Sequence, residues 1–343
     1  MLVSGGVLVA LVLVAMWLPV PYVLLRPGPT FDTTGEFDGT QLITIDGATT
    51  YPADGQLRMT TVSESGGPFG DLTLVEALWG WWSPSAAVMP ERLLYPPDAD
   101  PDEVREENDT LFVDSQSSAT AAALDFLDLP TRVAVVVAGV AADGPSEGQL
   151  EPGDEILTIN GVDPKDSAEA AALIGRSKPG STIVFEVDRD GKELTKKVVS
   201  EAGEGANKNR ARVGITVNQS VQGEDVTITY GLEEVGGPSA GLMFSLGIID
   251  ELTDGGLAGG RVVAGTGTIT DEGVVGPIGG IQQKVVGAKR DGATYFLAPA
   301  ANCADAVGAA PDGLTLVRVE TLDGAVDALE KIDAGKVDDV PRC

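Results

Sequence analysis

A serine hydroxyl becomes a useful nucleophile only where a neighbouring base can take its proton, and this 343-residue chain has no histidine to do so. The side chains whose type and surroundings could still supply that chemistry are Ser239 and Lys284. Ser239 lies in EEVGGPSAGLMFSLGIIDEL, residues 233–252, where two glycines and a proline precede it. Proline is favoured in the first helical turn, so Gly237 reads as the N-cap, Pro238 as the first helical residue and Ser239 as the next. Unpaired backbone N–H groups and the positive end of the helix dipole converge at such a start, and Ala240 and Gly241 leave room for a carbonyl. Gly237, Pro238 and Ala240 are therefore the candidate oxyanion and substrate-binding positions. Taken alone, Gly-Pro-Ser is also an ordinary way to begin a helix.

The base must come from elsewhere. In GPIGGIQQKVVGAKRDGA, residues 276–293, a helical period puts Ile281, Lys284, Val285 and Ala288 on one stripe, with Lys289 on its flank and Arg290 opposite. Lys284 alone among these cations sits within an apolar face. Burial disfavours the ammonium form; to be largely neutral near pH 7 to 8 its pKa must fall by roughly 3 from about 10.4, a cost of about 4 kcal/mol. The competing reading is a lysine whose stem covers the core while its ammonium reaches water. Lysine is the known substitute for histidine beside a serine nucleophile.

GGPSAG around Ser239 and GTGTITDEGVVGPIGGIQQK ending at Lys284, in this order and 45 residues apart, resemble the proteolytic domain of Lon proteases over roughly residues 213–329. The resemblance implies a Ser-Lys dyad, with the serine of the PSAG motif, Ser239, as nucleophile and the lysine of the IGG-x-x-x-K motif, Lys284, as general base. It implies that Thr266, aligned through GTGTIT, helps hold the pair. Lon enzymes carry an ATPase, but no G-x-x-x-x-G-K-[ST] phosphate loop occurs in this sequence. The expectation is an endopeptidase acting without ATP or any other cofactor on flexible or unfolded protein segments. The resemblance also suggests a homo-oligomer, with rings of six common in that family.

These side chains need elements to position them. The pattern predicts a multidomain α+β or α/β chain: a transmembrane anchor at 1–26, membrane-proximal hairpins and helices at 27–127, a domain at 128–201, a proteolytic domain at 210–335 and a tail at 336–343. The first 25 residues carry no charge, and Gly5 to Leu25 would span about 31 Å as a helix, the depth of a bilayer core. The expected setting is a single-pass membrane protein with its domains on the extracytoplasmic side. QLITID and QLRMTTVS read as hairpin strands beside Asp-Gly turns at Asp38 and Asp54. Trp79, Trp81 and Trp82 read either as an interfacial aromatic belt or, the preferred reading, as packing against those hairpins. A helix is predicted from about Pro101 to Leu127.

The middle segment has its own signature. Leu150, Gly153, Asp154, Ile156, Leu157, Asn160 and Gly161, in the run G-x-L-x-x-G-D-x-I-L-x-I-N-G, resemble a PDZ domain of the type attached to bacterial proteases. That resemblance implies a groove for extended peptides, expected between the strand at 135–140 and the helix from Ser167. VGITVNQS and DVTITYGLEEV then read as strands leading to the nucleophile. A net charge of -29, with 52 acidic and 23 basic residues and no basic stripe, argues against nucleic-acid binding. The two cysteines, Cys303 and Cys343, lack metal-ligand spacing and are either one disulfide or two free thiols. The competing function is a PDZ-based scaffold with an inert protease-like domain; it has no need to keep Ser239, Lys284 and Thr266 together.

Overall fold

The computed structural model describes residues 16–343, apart from 97–98, 143, 190, 204–207 and 233–234. The chain forms two compact units that do not follow one another in sequence: residues 1–127 with 228–343, and residues 128–227. The first stretch supplies β1 (Tyr22–Asp32), β2 (Gln56–Gly66), α1 (Leu74–Trp82), β3 (Ala87–Pro90) and α2 (Pro101–Phe126). The inserted stretch supplies β4 (Thr131–Val140), β5 (Glu155–Ile159), α3 (Ser167–Gly175), β6 (Thr182–Arg189), β7 (Lys192–Val199) and β8 (Ile215–Gly223). The return stretch supplies α4 (Gly241–Leu252), β9 (Val262–Gly265), α5 (Ile281–Arg290) and β10 (Tyr295–Pro299). It ends with α6 (Cys303–Ala309), β11 (Thr315–Val319) and α7 (Leu322–Asp333).

The larger unit is built on a sheet in the order β11-β10-β9-β2-β1-β3. The four strands from β11 to β2 run parallel, while β1 pairs antiparallel with both β2 and β3. Parallel neighbours need crossovers, and α5 and α6 make them between β9, β10 and β11. The apolar runs VVAG and YFLAP suit strands covered on both faces. Helix α4 is apolar almost all round and is buried from Gly241 to Asp250. Gly247 permits its close approach, since a Cβ there would meet Thr33 Oγ1 at 2.8 Å and Ile43 Cδ1 at 2.9 Å. Helix α2 lies against it, with Phe112 edge-on to Phe244 and the Ser245 hydroxyl donating to the Ala119 carbonyl at 3.2 Å.

The smaller unit is an antiparallel sheet, β7-β6-β5-β4-β8, with α3 packed on it. Val135, Ile156, Ile159, Leu173, Phe185 and Val187 form its core. Asp154 is buried but paired, accepting from Arg189 Nη2 at 2.8 Å, which offsets its desolvation. Asn160 and Gly161 adopt φ of 54° and 77°, the left-handed pair that a tight turn requires.

Several expectations are corrected. Residues 1–15 of the expected anchor lie outside the described residues, and among the described ones no helix is long and apolar enough to cross a membrane. The end of the apolar run is a strand: Val23, Leu24 and Leu25 in β1 are buried in the sheet. An apolar run has no period to separate the two roles. QLITID and QLRMTTVS do not form a hairpin with each other. The first pairs with residues 227–230, the second becomes β2 beside β9, and residues 27–127 are no separate body. VGITVNQS likewise leaves the expected proteolytic segment, because β8 pairs along the whole of β4, from Ile215 opposite Val140 to Gly223 opposite Thr131. That pairing fills the strand edge on which a peptide was expected to add; β8 is the outer strand instead. Residues 336–343 are no free tail, since Arg342 bridges to Val317 and Cys343 is disulfide-bonded to Cys303.

The strand assignment has a direct test. Deleting residues 1–18 is expected to leave the fold intact, whereas deleting residues 1–26 removes three buried side chains worth about 1.5–3 kcal/mol each, comparable with the whole stability of a domain. Thermal melts by circular dichroism on the two truncations check this; a cooperative, unshifted transition in the longer deletion would contradict the place of β1.

Candidate active site

Ser239 stands on a short 3-10 turn, Pro238–Ala240, that leads directly into α4. Gly237 precedes it with φ 84°, a conformation that favours glycine, and its N–H donates to the Asn108 carbonyl of α2 at 2.9 Å. Ser115 of α2 donates to the Pro238 carbonyl at 3.1 Å. The turn is thus held from behind by α2, leaving the Ser239 side chain half-buried toward a cleft of about 750 Å³. Gly237, Pro238 and Ala240 line the same cleft. The expected helix start is one turn of 3-10 geometry ahead of the α-helix proper, and the first N–H groups there have no acceptor within the helix.

Lys284 reaches this point from α5. The helix begins at Gly280, whose φ is 68° and whose Cβ, if present, would lie 2.5 Å from Val62 Cγ2. Only glycine allows α5 to start so close to β2, and Lys284 N–H closes the first turn on the Gly280 carbonyl at 3.0 Å. The preceding loop is clamped by Asn302, whose amide donates to the Ile278 carbonyl at 3.0 Å and accepts from the Ile278 N–H at 2.9 Å. Ile281, Val285 and Ala288 are buried on the same face as Lys284, as the stripe requires. Lys284 itself is 3% exposed, so it does not reach bulk water along its stem.

Its Nζ lies 2.6 Å from Ser239 Oγ and 2.9 Å from Thr266 Oγ1. Thr266, fully buried just after β9, donates its own hydroxyl to the Ser239 carbonyl at 3.0 Å. Its single proton being committed there, Thr266 can only accept from Lys284. A neutral lysine amine that gives an N–H to Thr266 is left with its lone pair free for the Ser239 hydroxyl proton. Desolvation lowers the Lys284 pKa from 10.5 to about 7, so both protonation states are populated near neutrality. The arrangement can therefore take a proton from a serine and return it to a leaving group.

The structure brings Ser239, Lys284 and Thr266 together with the three cleft-lining positions. Sequence reasoning missed Ser115, Asn108 and Asn302, which position the turn and the loop. Asn302 left a faint signal, one amide in the otherwise apolar APAAN at the end of β10; nothing local marks Ser115 among the polar residues of α2.

Two segments of the chain match known families. Residues 206–330 match the Lon protease (S16) C-terminal proteolytic domain and residues 104–199 match the PDZ domain. The chain thus carries both domain types, although the folded units meet at 127/128 and 227/228, so each match crosses a boundary between them. Lon protease 1 of Bacillus subtilis (strain 168) is 38% identical over 94 residues, covering 26% of this chain and 12% of that protein. Lon protease 2 of the same strain is 26% identical over 195 residues, 57% of this chain and 32% of that protein. A probable periplasmic serine endoprotease DegP-like from Pseudomonas savastanoi pv. phaseolicola (strain 1448A / Race 6) is 35% identical over 132 residues, 33% of this chain and 27% of that protein. The matched stretches therefore span a third or less of the length of these curated relatives.

The buried amine makes a stability prediction. Between pH 7 and 10.5 the unfolded chain holds a proton on Lys284 that the folded chain has released, so this residue makes stability rise with pH over that window. Its cost is full below about pH 7 and vanishes above the unfolded value. Lys284→Met is accordingly expected to raise Tm at pH 6 by several degrees and to have a much smaller effect at pH 10; equal effects at both pH values would place the amine in water.

Proposed function

We propose that the chain is a serine endopeptidase in which Ser239 is the nucleophile and Lys284 the general base, and that it cuts flexible or unfolded polypeptide segments without ATP. The observation that carries this reading is the 2.6 Å approach of a buried lysine amine to a serine hydroxyl in a sizeable cleft. In the productive state the neutral amine takes the Ser239 proton as Oγ attacks the scissile carbonyl. We assign the developing oxyanion to N–H groups at the turn that opens α4: the Gly237 N–H is committed to Asn108 and Pro238 has none, which leaves those of Ser239 and Ala240. The Lys284 ammonium returns the proton to the departing amine, the peptide bond breaks, and water repeats the sequence on the acyl-serine. Thr266 keeps the lysine lone pair on the serine through both halves.

The cleft favours an extended substrate. β9 ends at Gly265 opposite Met59, and the Thr60 hydroxyl closes that end by donating to the Gly265 carbonyl at 3.0 Å. Beyond it Thr61, Val62, Ser63 and Glu64 of β2 line the cleft with one strand edge turned away from β1. An unfolded segment can add to such an edge through its backbone, with little demand on its sequence. A folded segment cannot, which fits a chain whose sequence carries no phosphate loop to power unfolding.

Ser239→Ala and Lys284→Ala are expected to cut a disordered protein such as casein at least about 10²-fold more slowly, with the fold unchanged by circular dichroism. Lys284→Arg is expected to be equally damaging, because arginine keeps the charge but cannot give up its proton. Parent activity should rise with pH through about 7 as Lys284 deprotonates. Mass spectrometry of the products reads all four points, and an active Lys284→Arg enzyme with an unaltered pH profile would sink the assignment.

In the smaller unit we place the peptide groove between β8 and α3, since β8 is the outer strand and α3 packs beside it. Titrating an extended peptide should shift the amide resonances of residues 215–223 and 167–175; shifts confined to β4 would reject this groove. We also assign the uncharged residues 1–18 to membrane attachment, with both units in an oxidising, extracytoplasmic compartment, as the Cys303–Cys343 disulfide favours.

A further inference from the structure

Helix α1 is built inside out. Its inward positions are small: Ala77 is 1% exposed, and at Gly80 a Cβ would meet Leu24 Cδ1 at 2.5 Å and Val88 Cγ2 at 2.7 Å. On the opposite side, Val75, Leu78, Trp79 and Trp82 fall within about 100° of one another at the helical period. They are exposed by 37%, 49%, 59% and 89% respectively. The preferred sequence reading, that these tryptophans pack against neighbouring strands, does not hold for Trp79 or Trp82. Trp81, on the flank, rests edge-on against Tyr22 but is still 54% exposed.

Where the N-terminal segment meets this helix matters. Pro19 and Val20 pair with Thr73 and Leu72, and the Leu74 N–H donates to the Leu18 carbonyl at 3.1 Å, so the chain joins the fold at the first turn of α1. Trp17 and Leu18 are 77% and 54% exposed at that point. Residues 1–18 contain no charge, and between Leu72 and Pro90 the only charged residue is Glu76. Glu76 is committed to the helix start: its carboxylate accepts from the Thr73 N–H and hydroxyl in a capping box, which holds it below the ordinary carboxylate range. It lies off the exposed stripe. An uncharged chain segment therefore joins the fold beside an uncharged, tryptophan-bearing stripe, the composition that partitions to the boundary between headgroups and acyl chains.

We propose that the Val75, Leu78, Trp79 and Trp82 face of α1 is a membrane-interface surface, seated in the headgroup–acyl boundary of a lipid bilayer. This rests on the reading that residues 1–18 attach the chain to a membrane, and adds a second contact that fixes how the larger unit lies on it. The stripe offers no charged partner to a protein or nucleic acid, whereas a bilayer asks only for apolar area with aromatic edges.

All four tryptophans of the chain, Trp17, Trp79, Trp81 and Trp82, belong to this region, so selectively excited tryptophan emission reports on it alone. Full-length chain carrying Trp17→Phe, reconstituted into phosphatidylcholine vesicles with brominated acyl chains, is expected to lose most of its emission relative to unbrominated vesicles. Bromines near the headgroup should quench more than bromines near the chain ends. A chain retaining only Trp82 should be quenched more than one retaining only Trp81, because Trp82 is 89% exposed on the stripe whereas Trp81 lies on its flank, 54% exposed and partly covered by Tyr22. Flotation with vesicles but equal emission with and without bromine would overturn the surface and leave the attachment of residues 1–18 standing. Failure to float would overturn both, without touching peptidase activity on a soluble peptide. Equal quenching of the two single-tryptophan chains would overturn the orientation, and a blue shift that appears without lipid and grows with protein concentration would assign the face to a second copy of the chain.

Discussion

The catalytic reading depends on keeping one amine dry. A lysine in water is an ammonium at neutral pH and cannot accept a proton, so the pair with Ser239 has meaning only while Lys284 stays inside the apolar face of α5. Much of the larger unit can be understood as maintaining that condition. β9 and β10 form the floor, α4 seals one side, and Gly280 lets α5 begin against Val62 with no side chain to hold it off. Thr266 then directs the amine by having no second proton to give. The energetic cost of this burial, about 4 kcal/mol, is a sizeable part of a domain's net stability.

A second constraint is topological. The sheet is completed by β1, β2 and β3 from the first 90 residues, although Ser239, Thr266 and Lys284 lie beyond residue 238. β2 does two jobs there: its first half pairs with β9 and fixes the turn that carries Thr266, while its second half lines the cleft. A disturbance far upstream in sequence is thus a disturbance at the site.

What the sequence made legible follows from how local the signals are. Ser239 and Lys284 could be found because each sits in a short motif whose residue types are dictated at neighbouring positions: glycine and proline at a turn, an apolar stripe around a cation. Helices α2 and α5 were readable for the same reason. Pairing partners were not, because a strand such as QLRMTTVS announces its two faces but not its neighbours, and its true neighbour VVAG lies about 200 residues away. The end of the apolar run, Val23 to Leu25, was misread because an apolar stretch reads alike whether lipid or protein covers it. VGITVNQS was assigned to the wrong unit for want of any signal that β4 would accept it.

The insertion of the smaller unit bears on the order of events during synthesis. Residues 128–227 are contiguous, so this unit can close as soon as it has left the ribosome. Its two ends are then neighbours: Thr131 stands opposite Gly223, and the Glu224 N–H donates to the Pro130 carbonyl at 3.0 Å. The nascent larger unit meets a short staple in place of a long flexible loop, and the entropy of closing that loop is already spent before β9 emerges. β9 and α5 come later still, so a partly made chain carries the closed smaller unit but neither Thr266 nor Lys284. Ser239, Thr266 and Lys284 can therefore meet only after the smaller unit and α5 have both been made.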